Sequence, residues 1–230
     1  MNYQFLFFDL DHTLWDYEKS ARETLRELYD AYQLHQKVVF DAMALQQKFF
    51  EVNYQLWADY NIGKIDSEYL RTQRFVRIFE ELGADKSLIP ANFTYEYVNG
   101  CPQKPYVIDG AFELLDHLQD RFSLHIITNG FEDVQHVKLE KSGLRKYFDE
   151  VVTSERAGGK KPGKEIFEFA LKVSKAHLQH SLMIGDNIQT DILGAKGVGI
   201  GQVYYNPEKV AHTEELTFEI SHLSELKSIL

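Results

Sequence analysis

A wholly apolar run ends abruptly in two carboxylates at residues 5–14, which read FLFFDLDHTL. Four consecutive large apolar residues favour a strand that is covered on both faces, as in a parallel sheet. Ligands of such sheets bind just beyond the carboxyl ends of the strands. Asp9 and Asp11 follow the strand at that point, so we expect them to belong to a functional site.

The charge balance limits the kinds of partner. The chain has 230 residues, with 35 acidic and 25 basic side chains and a formal net charge of -10. A nucleic acid or an anionic membrane surface is therefore not an expected partner. A small anionic molecule remains compatible with this charge if a local cation receives it.

Cysteine content and hydropathy indicate the compartment. Cys101 is the single cysteine, which excludes an internal disulfide, and we interpret it as an inert thiol in a reducing environment. No stretch approaches the roughly 20 apolar residues of a spanning helix. The apolar start lacks a basic flank and meets Asp9 too early for a signal peptide, so we expect a cytoplasmic protein.

A helical period follows the first strand. Apolar stripes predict helices near residues 25–32, 40–60 and 66–82, with a weaker one within 85–100. The second helix carries two stripes, which predicts cover on most sides. Asp66 is a suitable N-cap for the third helix, and Gly83 occupies the usual stop position.

Helices and strands alternate after the proline-containing segment CPQKP at 101–105. Strands are predicted at 123–128, 150–153, 181–184 and 199–204, with a minor one at 216–220. Helices are predicted at 111–118, 132–141, 164–173, 189–195 and 222–230. This alternation is typical of βαβ units on a parallel sheet. The first strand has the same buried character, so we expect it to join that sheet and the helical stretch to be an insertion.

Polar residues follow four of the predicted strand or helix boundaries. The first set is Asp9 to Thr13, and the second is Thr128-Asn129-Gly130. The third is Lys160-Lys161-Pro162-Gly163, and the fourth combines Gly185-Asp186-Asn187 with Thr190-Asp191. Taken singly, each is more often a turn, a cap or a solvated surface.

Together and in this order, the four sets resemble the motifs of the haloacid dehalogenase (HAD)-like hydrolase superfamily. The resemblance covers essentially the whole chain and implies a Rossmann-like α/β core, a parallel sheet flanked by helices, formed by residues 1–15 and 103–230. Residues 16–102 would form an inserted α-helical bundle, the mobile cap of that superfamily.

The resemblance also implies roles for the residues. Asp9 would be the nucleophile and Asp11 the general acid/base. The ligands of a Mg²⁺ cofactor would be the Asp9 carboxylate, the Asp11 main-chain carbonyl and Asp186, with Asp191 supporting them. The substrate phosphate would be bound by Thr128, Asn129 and Lys161. Thr13 would support the first motif through a hydrogen bond, whereas Lys160 is interpreted as a solvated neighbour.

A carboxylate at Asp11 separates phosphate chemistry from dehalogenation within this superfamily, because attack on carbon needs no acid for the leaving group. The runs FDLDHTLWD and GDNIQTDILGA are similar to the pyrimidine 5'-nucleotidase branch. The expected substrate is thus a phosphate monoester, with nucleoside monophosphates favoured. A sugar-phosphate or phosphoglycolate phosphatase, a phosphomutase and a non-catalytic interaction protein remain alternatives.

Three further features stay open at this point. Arg71, Arg74 and Arg77 share one face of a predicted helix, where solvation beside neighbouring glutamates is favoured over substrate contact. His12 could touch a substrate. The aromatic residues between 49 and 60 are interpreted as bundle core, although an exposed one could contact a substrate ring.

Overall fold

A computed structural model describes residues 3–230. The chain divides into two compact units. One comprises the residues up to Tyr17 together with Pro105–Leu230, and the other is Glu18–Lys104. The chain therefore leaves the first unit after a single strand and returns to it 87 residues later, as the span 18–104 shows.

The first unit contains a six-stranded sheet in which every neighbouring pair is parallel. Its order is β3-β2-β1-β4-β5-β6. The strands are β1 Phe5–Phe8, β2 Ser123–Thr128, β3 Glu150–Thr153, β4 Ser181–Gly185, β5 Gly201–Tyr205 and β6 Phe218–Ile220. The expected α/β class is confirmed, and β1 lies at the centre between two strands that come more than 100 residues later.

The strand register brings the polar motifs to one edge of the sheet. Phe8 lies opposite Ile126 on one side and Ile184 on the other, and the Asp9 N–H donates to the Ile184 carbonyl at 2.9 Å. Parallel strands in this register end together, so the residues that follow β1, β2 and β4 meet at the carboxyl edge.

The second unit is helical. Its helices are α1 Tyr17–Ala31, which starts in the first unit, then α2 Ala42–Asn61, α3 Ser67–Glu81 and α4 Phe93–Gly100. The Asp66 carboxylate caps α3 by accepting from the Tyr69 N–H at 2.7 Å, and Gly83 adopts φ 77° beyond its end, as the sequence predicts.

Aromatic packing forms the interior of the helical unit. Phe75 contacts the rings of Phe93 and Tyr97 at centroid distances of 4.9 and 5.3 Å, and such pairs each contribute about 0.5–1.5 kcal/mol beyond their buried area. Only one of the two stripes predicted on α2 is fully buried. Met43 and Tyr54 of the other stripe are exposed, so the prediction that α2 is covered on most sides was wrong on that face.

The remaining helices flank the sheet. They are α5 Ala111–Leu118, α6 Glu132–Ser142, α7 Ser154–Ala157, α8 Lys164–Ser174, α9 Leu193–Val198 and α10 Leu226–Ile229. The helix predicted at 189–195 is a π-helical turn, Ile188–Ile192, that continues into α9. The predicted last helix is a short 3₁₀ turn followed by α10. Among the described residues, no helix combines the length and apolarity that crossing a membrane requires.

Candidate active site

A tight turn over residues 10–15 follows β1 and contains Asp11, whereas Asp9 precedes it. His12 takes a left-handed conformation, φ 65°, which is uncommon for residues other than glycine. The turn is closed by the Leu14 and Trp15 N–H groups, which both donate to the Leu10 carbonyl. Asp9 and Asp11 lie on either side of Leu10 and meet different neighbours.

Lys161 holds the Asp9 carboxylate. Its Nζ is 2.6 Å from Asp9 Oδ1 and 2.7 Å from Asp191 Oδ1, and it donates to the Ile127 carbonyl at 2.9 Å. These three contacts use all three donors of the ammonium. The two carboxylates raise the pKa of Lys161 against the opposing effect of burial, so this lysine is charged.

Three carboxylates form an acidic cluster at the sheet edge. Ligand oxygens of Asp9, Asp186 and Asp191 lie within 4.8 Å of one another. The Lys161 ammonium is bonded to two of these carboxylates, so full ionisation of all three would leave a formal charge of -2 on this group of four residues. Such a set of hard oxygen donors suits a divalent cation.

Burial and mutual repulsion disfavour ionisation of this cluster. Desolvation, together with the charges of Asp191 and Asp186, raises the pKa of Asp9 well above its usual value, although Lys161 opposes the shift. Desolvation and Asp191 raise the pKa of Asp186 to about 7. A cation bound here would offset both effects.

Asp191 is already held by three donors from the protein. Its Oδ1 accepts from the Thr190 hydroxyl at 3.1 Å and contacts Lys161, and its Oδ2 accepts from the Asn187 N–H at 3.0 Å. Gly185 makes this position possible, because a Cβ there would lie 2.3 Å from Asp191 Oδ2. Asp191 is thus placed to support the cluster from behind.

Thr13 links the first and fourth motifs. Its hydroxyl donates to Asp186 Oδ1 at 2.9 Å, and the side chain is fully buried. The hydrogen bond expected of Thr13 is therefore made to the residue that follows β4, the strand next to β1. This hydrogen bond orients one carboxylate of the acidic cluster.

Asp11 points into a separate set of contacts with α6. Lys138 Nζ donates to its two carboxylate oxygens at 2.7 and 2.8 Å, and Gln135 Nε2 donates to Oδ2 at 3.0 Å. Burial alone would raise the pKa of Asp11, but the charge and hydrogen bonds of Lys138 and the bond from Gln135 lower it overall. Asp11 is therefore ionised in this arrangement.

Gln135 and Lys138 were not predicted from the sequence to belong to the site. Both are buried, and with Ser142 they occupy positions that an amphipathic helix would give to apolar residues. That run of polar residues on the inward face of α6 was the available signal. Lys138 also stacks its ammonium 4.7 Å from the Trp15 ring centroid.

Thr128 and Asn129 end β2 beside these groups. The Thr128 hydroxyl accepts from Gln135 Nε2 at 2.7 Å and from the Gly130 N–H at 3.0 Å, which leaves its own proton to donate. The Asn129 side chain binds the backbone of Lys161 in both directions, at 2.8 and 2.9 Å. Asn129 thereby fixes the position of the lysine.

The structure gives different surroundings to the arginines of α3, His12 and Lys160. Arg77 donates to Gln55 at 2.8 Å and lies 3.5 Å from Glu81, as a solvated face predicts. Arg74 is buried instead, so that interpretation was wrong for this residue. The His12 ring lies 5.1 Å from the ring of Tyr17, and Lys160 is half-buried, which lowers its pKa.

A parallel sheet with carboxylates and a buried lysine beyond its central strand ends is the architecture of an α/β enzyme. The family model described as haloacid dehalogenase-like hydrolase matches residues 3–199. The chain belongs to this hydrolase family, as the sequence predicts.

Full-length relatives support the same membership. The chain is 32% identical to the HAD-hydrolase YfnB of Bacillus subtilis, over 99% of this chain and 95% of that protein. It is 32% identical to the pyrimidine 5'-nucleotidase PynA of Streptococcus pneumoniae, over 100% and 96% of the two chains. It is 33% identical to the pyrimidine 5'-nucleotidase YjjG of Escherichia coli, over 100% and 99%.

A solved structure shares the fold over its whole length. The crystal structure of YfnB bound to magnesium superposes with a TM-score of 0.88 at 30% identity, covering 100% of this chain and 99% of that one. The Rossmann-like core is thus common to both proteins.

Proposed function

We propose that the protein is a Mg²⁺-dependent phosphomonoester hydrolase that acts through an aspartyl-phosphate on Asp9. The observation that carries this proposal is the different surroundings of two carboxylates two residues apart. Asp9 faces the acidic cluster and Lys161, whereas Asp11 is held by Lys138 and Gln135. Two carboxylates in different surroundings have different pKa values, which lets one act as the nucleophile and the other as the acid/base.

In the first displacement, an Asp9 carboxylate oxygen bonds to phosphorus and the bond to the ester oxygen breaks. That oxygen takes a proton from Asp11 and departs as an alcohol. In the second displacement, water attacks the phosphorus, gives a proton to Asp11 and releases inorganic phosphate, which restores Asp9. The approach of an anionic phosphate ester supports protonation of Asp11, because a like charge raises a carboxylate pKa.

The residues at the ends of β1 and β4 fit a magnesium ion. The donors would be the Asp9 and Asp186 carboxylates with the Asp11 main-chain carbonyl, while Asp191 is committed to its protein partners. Bound there, the ion supplies positive charge that offsets repulsion between the cluster and the substrate phosphate.

The site for the substrate phosphate would combine a hydrogen-bond donor, Thr128, with a cation, Lys161. Thr128 has a hydroxyl proton left to give, since it accepts two hydrogen bonds. Lys161 adds its charge, and Asn129 keeps that lysine in place. Together they would neutralise phosphoryl oxygens during transfer.

We further propose pyrimidine nucleoside 5'-monophosphates as the substrates, with the helical unit as the inserted cap domain. The support is the similarity to PynA and YjjG over full length, together with the motif runs at the ends of β1 and β4.

A substrate panel tests both levels of the proposal. Release of phosphate would be measured from dUMP, UMP, dAMP, ribose 5-phosphate, phosphoglycolate and p-nitrophenyl phosphate, with Mg²⁺ and with excess chelator. We expect the highest kcat/KM for dUMP and UMP, and loss of all activity with chelator. Preference for sugar phosphates or phosphoglycolate would reject the nucleotidase assignment but keep the hydrolase.

The nucleophile is tested by Asp9→Asn, with retained folding checked by circular dichroism. Loss of about 10⁴-fold or more in kcat is expected for removal of a nucleophile. Undiminished turnover in this variant would reject the aspartyl-phosphate mechanism.

A further inference from the structure

A single buried amide joins two groups of the proposed site. Gln135 lies near the start of α6 and is fully buried. Its Nε2 donates to Asp11 Oδ2 at 3.0 Å and to the Thr128 hydroxyl oxygen at 2.7 Å. These two bonds use both protons of the amide nitrogen. One side chain therefore contacts the proposed acid/base and a proposed phosphate ligand at the same time.

The contacts of Thr128 determine where its proton points. The hydroxyl oxygen accepts from Gln135 Nε2 and from the Gly130 N–H at 3.0 Å, and these two donors occupy both of its lone pairs. The hydroxyl proton must therefore point away from both donors, and it remains available for a phosphoryl oxygen. Without the amide of Gln135, this hydroxyl is free to rotate.

The orientation of the Gln135 amide serves both neighbours. After a half-turn of the amide, Asp11 Oδ2 would lose this donor, and Thr128 would have to donate its own proton to Gln135 Oε1. In the observed orientation, Oε1 accepts from no donor within residues 3–230. An unsatisfied buried carbonyl lowers stability, so the value of this amide lies in its two N–H groups.

Gly130 makes room for the amide. A Cβ at this position would overlap Gln135 Nε2 and Cδ and would lie 3.0 Å from Cγ. The φ angle of Gly130 is not in the left-handed region, so the close approach of the side chain, rather than the backbone conformation, requires glycine here. The turn after β2 and the side chain of Gln135 are thus fitted to each other.

We infer that Gln135 is a positioning residue that orients the Asp11 carboxylate for proton transfer and the Thr128 hydroxyl for the substrate phosphate, an inference that rests on the hydrolase function proposed above. The buried amide acts through these two groups. Its loss should slow departure of the ester oxygen through Asp11 and weaken neutralisation of the phosphoryl group through Thr128.

The route through Asp11 is tested by comparing two leaving groups. The p-nitrophenolate group departs readily without a proton, whereas the 5-oxygen of a pentose needs one. We define the leaving-group ratio as kcat/KM for p-nitrophenyl phosphate divided by kcat/KM for a pentose ester. The pentose ester is dUMP or ribose 5-phosphate, whichever the wild type hydrolyses faster.

Gln135→Met should raise the leaving-group ratio about threefold to tenfold, the effect of losing one hydrogen bond at Asp11. This ratio covers only the steps up to departure of the leaving group. A purely structural defect would lower both values of kcat/KM by the same factor and leave the ratio unchanged.

The route through Thr128 is tested by a double-mutant cycle with p-nitrophenyl phosphate. Gln135→Met and Thr128→Val should each lower kcat/KM. The double variant should lose less than the product of the two separate factors, because both changes affect the same hydroxyl donor. Separate factors that simply multiply would reject a role of Gln135 in orienting Thr128.

Gly130→Ala provides a second variant that keeps the amide but displaces it. The added Cβ meets the far end of the flexible Gln135 side chain, so we expect this variant to fold and to raise the leaving-group ratio as well. Circular dichroism melting checks folding, and Gly130→Ala decides if Gln135→Met does not fold. The control is Glu140→Met, a change of similar size at an exposed position of α6, which should keep the ratio within twofold.

Failure of the inference and failure of the proposed function give different results. If the wild type hydrolyses both kinds of ester and the leaving-group ratio is unchanged in Gln135→Met and Gly130→Ala, Gln135 does not position Asp11, and the hydrolase function stands. If the wild type releases no phosphate from any ester with Mg²⁺ present, the proposed function itself is rejected.

Discussion

The Lys138 ammonium donates to both carboxylate oxygens of Asp11, at 2.7 and 2.8 Å. Lys138 lies on α6, the helix that follows the second strand. Its ammonium also lies 4.7 Å from the centre of the Trp15 ring. This contact fixes the orientation of Asp11 and favours its ionised form, which gives it a different environment from Asp9.

Replacing Lys138 by methionine should therefore misplace the proposed acid/base. We expect kcat to fall about 10- to 100-fold, within the range that general acid–base catalysis contributes. Steady-state kinetics with p-nitrophenyl phosphate provide the measurement. The control is Lys141→Met on the same helix, where the side chain is exposed, and an equal loss in that variant would contradict the role of Lys138.

Adding a methyl group at Gly185 should disturb Asp191. The new Cβ would lie 2.3 Å from Asp191 Oδ2 and 2.6 Å from its Cβ and Cγ, so the carboxylate must move and Lys161 loses a partner. Gly185→Ala should cost about 1–3 kcal/mol of folding free energy and at least tenfold in kcat, measured by denaturant unfolding and phosphatase assay. Gly197→Ala is the control, because within residues 3–230 no atom beyond its chain neighbours and its own helix backbone lies within 4 Å of the added Cβ. Normal activity in Gly185→Ala would show that catalysis does not depend on the position of the Asp191 carboxylate.

Magnesium should stabilise the folded protein through the acidic cluster, by mass action. The increase in melting temperature at 5 mM Mg²⁺ should be larger at pH 8 than at pH 6, because the raised pKa of Asp186, about 7, lets protons compete at the lower pH. Asp186→Asn should remove most of the increase. An increase of the same size in that variant would place the ion elsewhere.

His125 should make stability fall in mild acid. Burial lowers its pKa in the folded chain, and the charges of Asp149 and Glu150 only partly oppose this; both ring nitrogens lack hydrogen-bond partners within residues 3–230. The unfolded chain, with a histidine pKa of about 6.5, then binds more protons, so stability is complete above that pH and declines as pH falls below it.

The variant His125→Phe should lose this decline in stability below about pH 6.5. Its free energy of unfolding should rise by about 1 kcal/mol at neutral pH, since a buried ring with unsatisfied nitrogens is removed. Urea unfolding from pH 5 to pH 8 gives the comparison. His117→Gln, at an exposed position, should follow the wild type. A pH dependence unchanged in His125→Phe would mean that another group titrates.

Much of this protein could be predicted because local sequence controls it. The apolar run of β1 followed by Asp9 and Asp11 predicts a buried strand with polar residues at its end, and the alternation after residue 105 predicts a parallel sheet. Asp66 and Gly83 marked the ends of α3 for the same reason: caps act through backbone groups only a few residues away.

Contacts between distant residues could not be predicted in this way. Gln135 and Lys138 are buried polar residues on α6, and only the packing of that helix beside Asp11 gives them partners 124 and 127 residues earlier in the chain. Likewise, three arginines at equal spacing look alike in sequence, and the facing helix decides that Arg77 is paired with Gln55 while Arg74 is not.

The sequence by itself determined the order of strands and helices, including the helices between the first and second strands, and the chemical groups at the strand ends, because periodicity and turn chemistry are local properties. Only the tertiary structure decided which of those groups are charged and what each one binds. Those properties depend on burial and on side chains brought together from distant parts of the chain, as Asp9, Lys161 and Asp191 are.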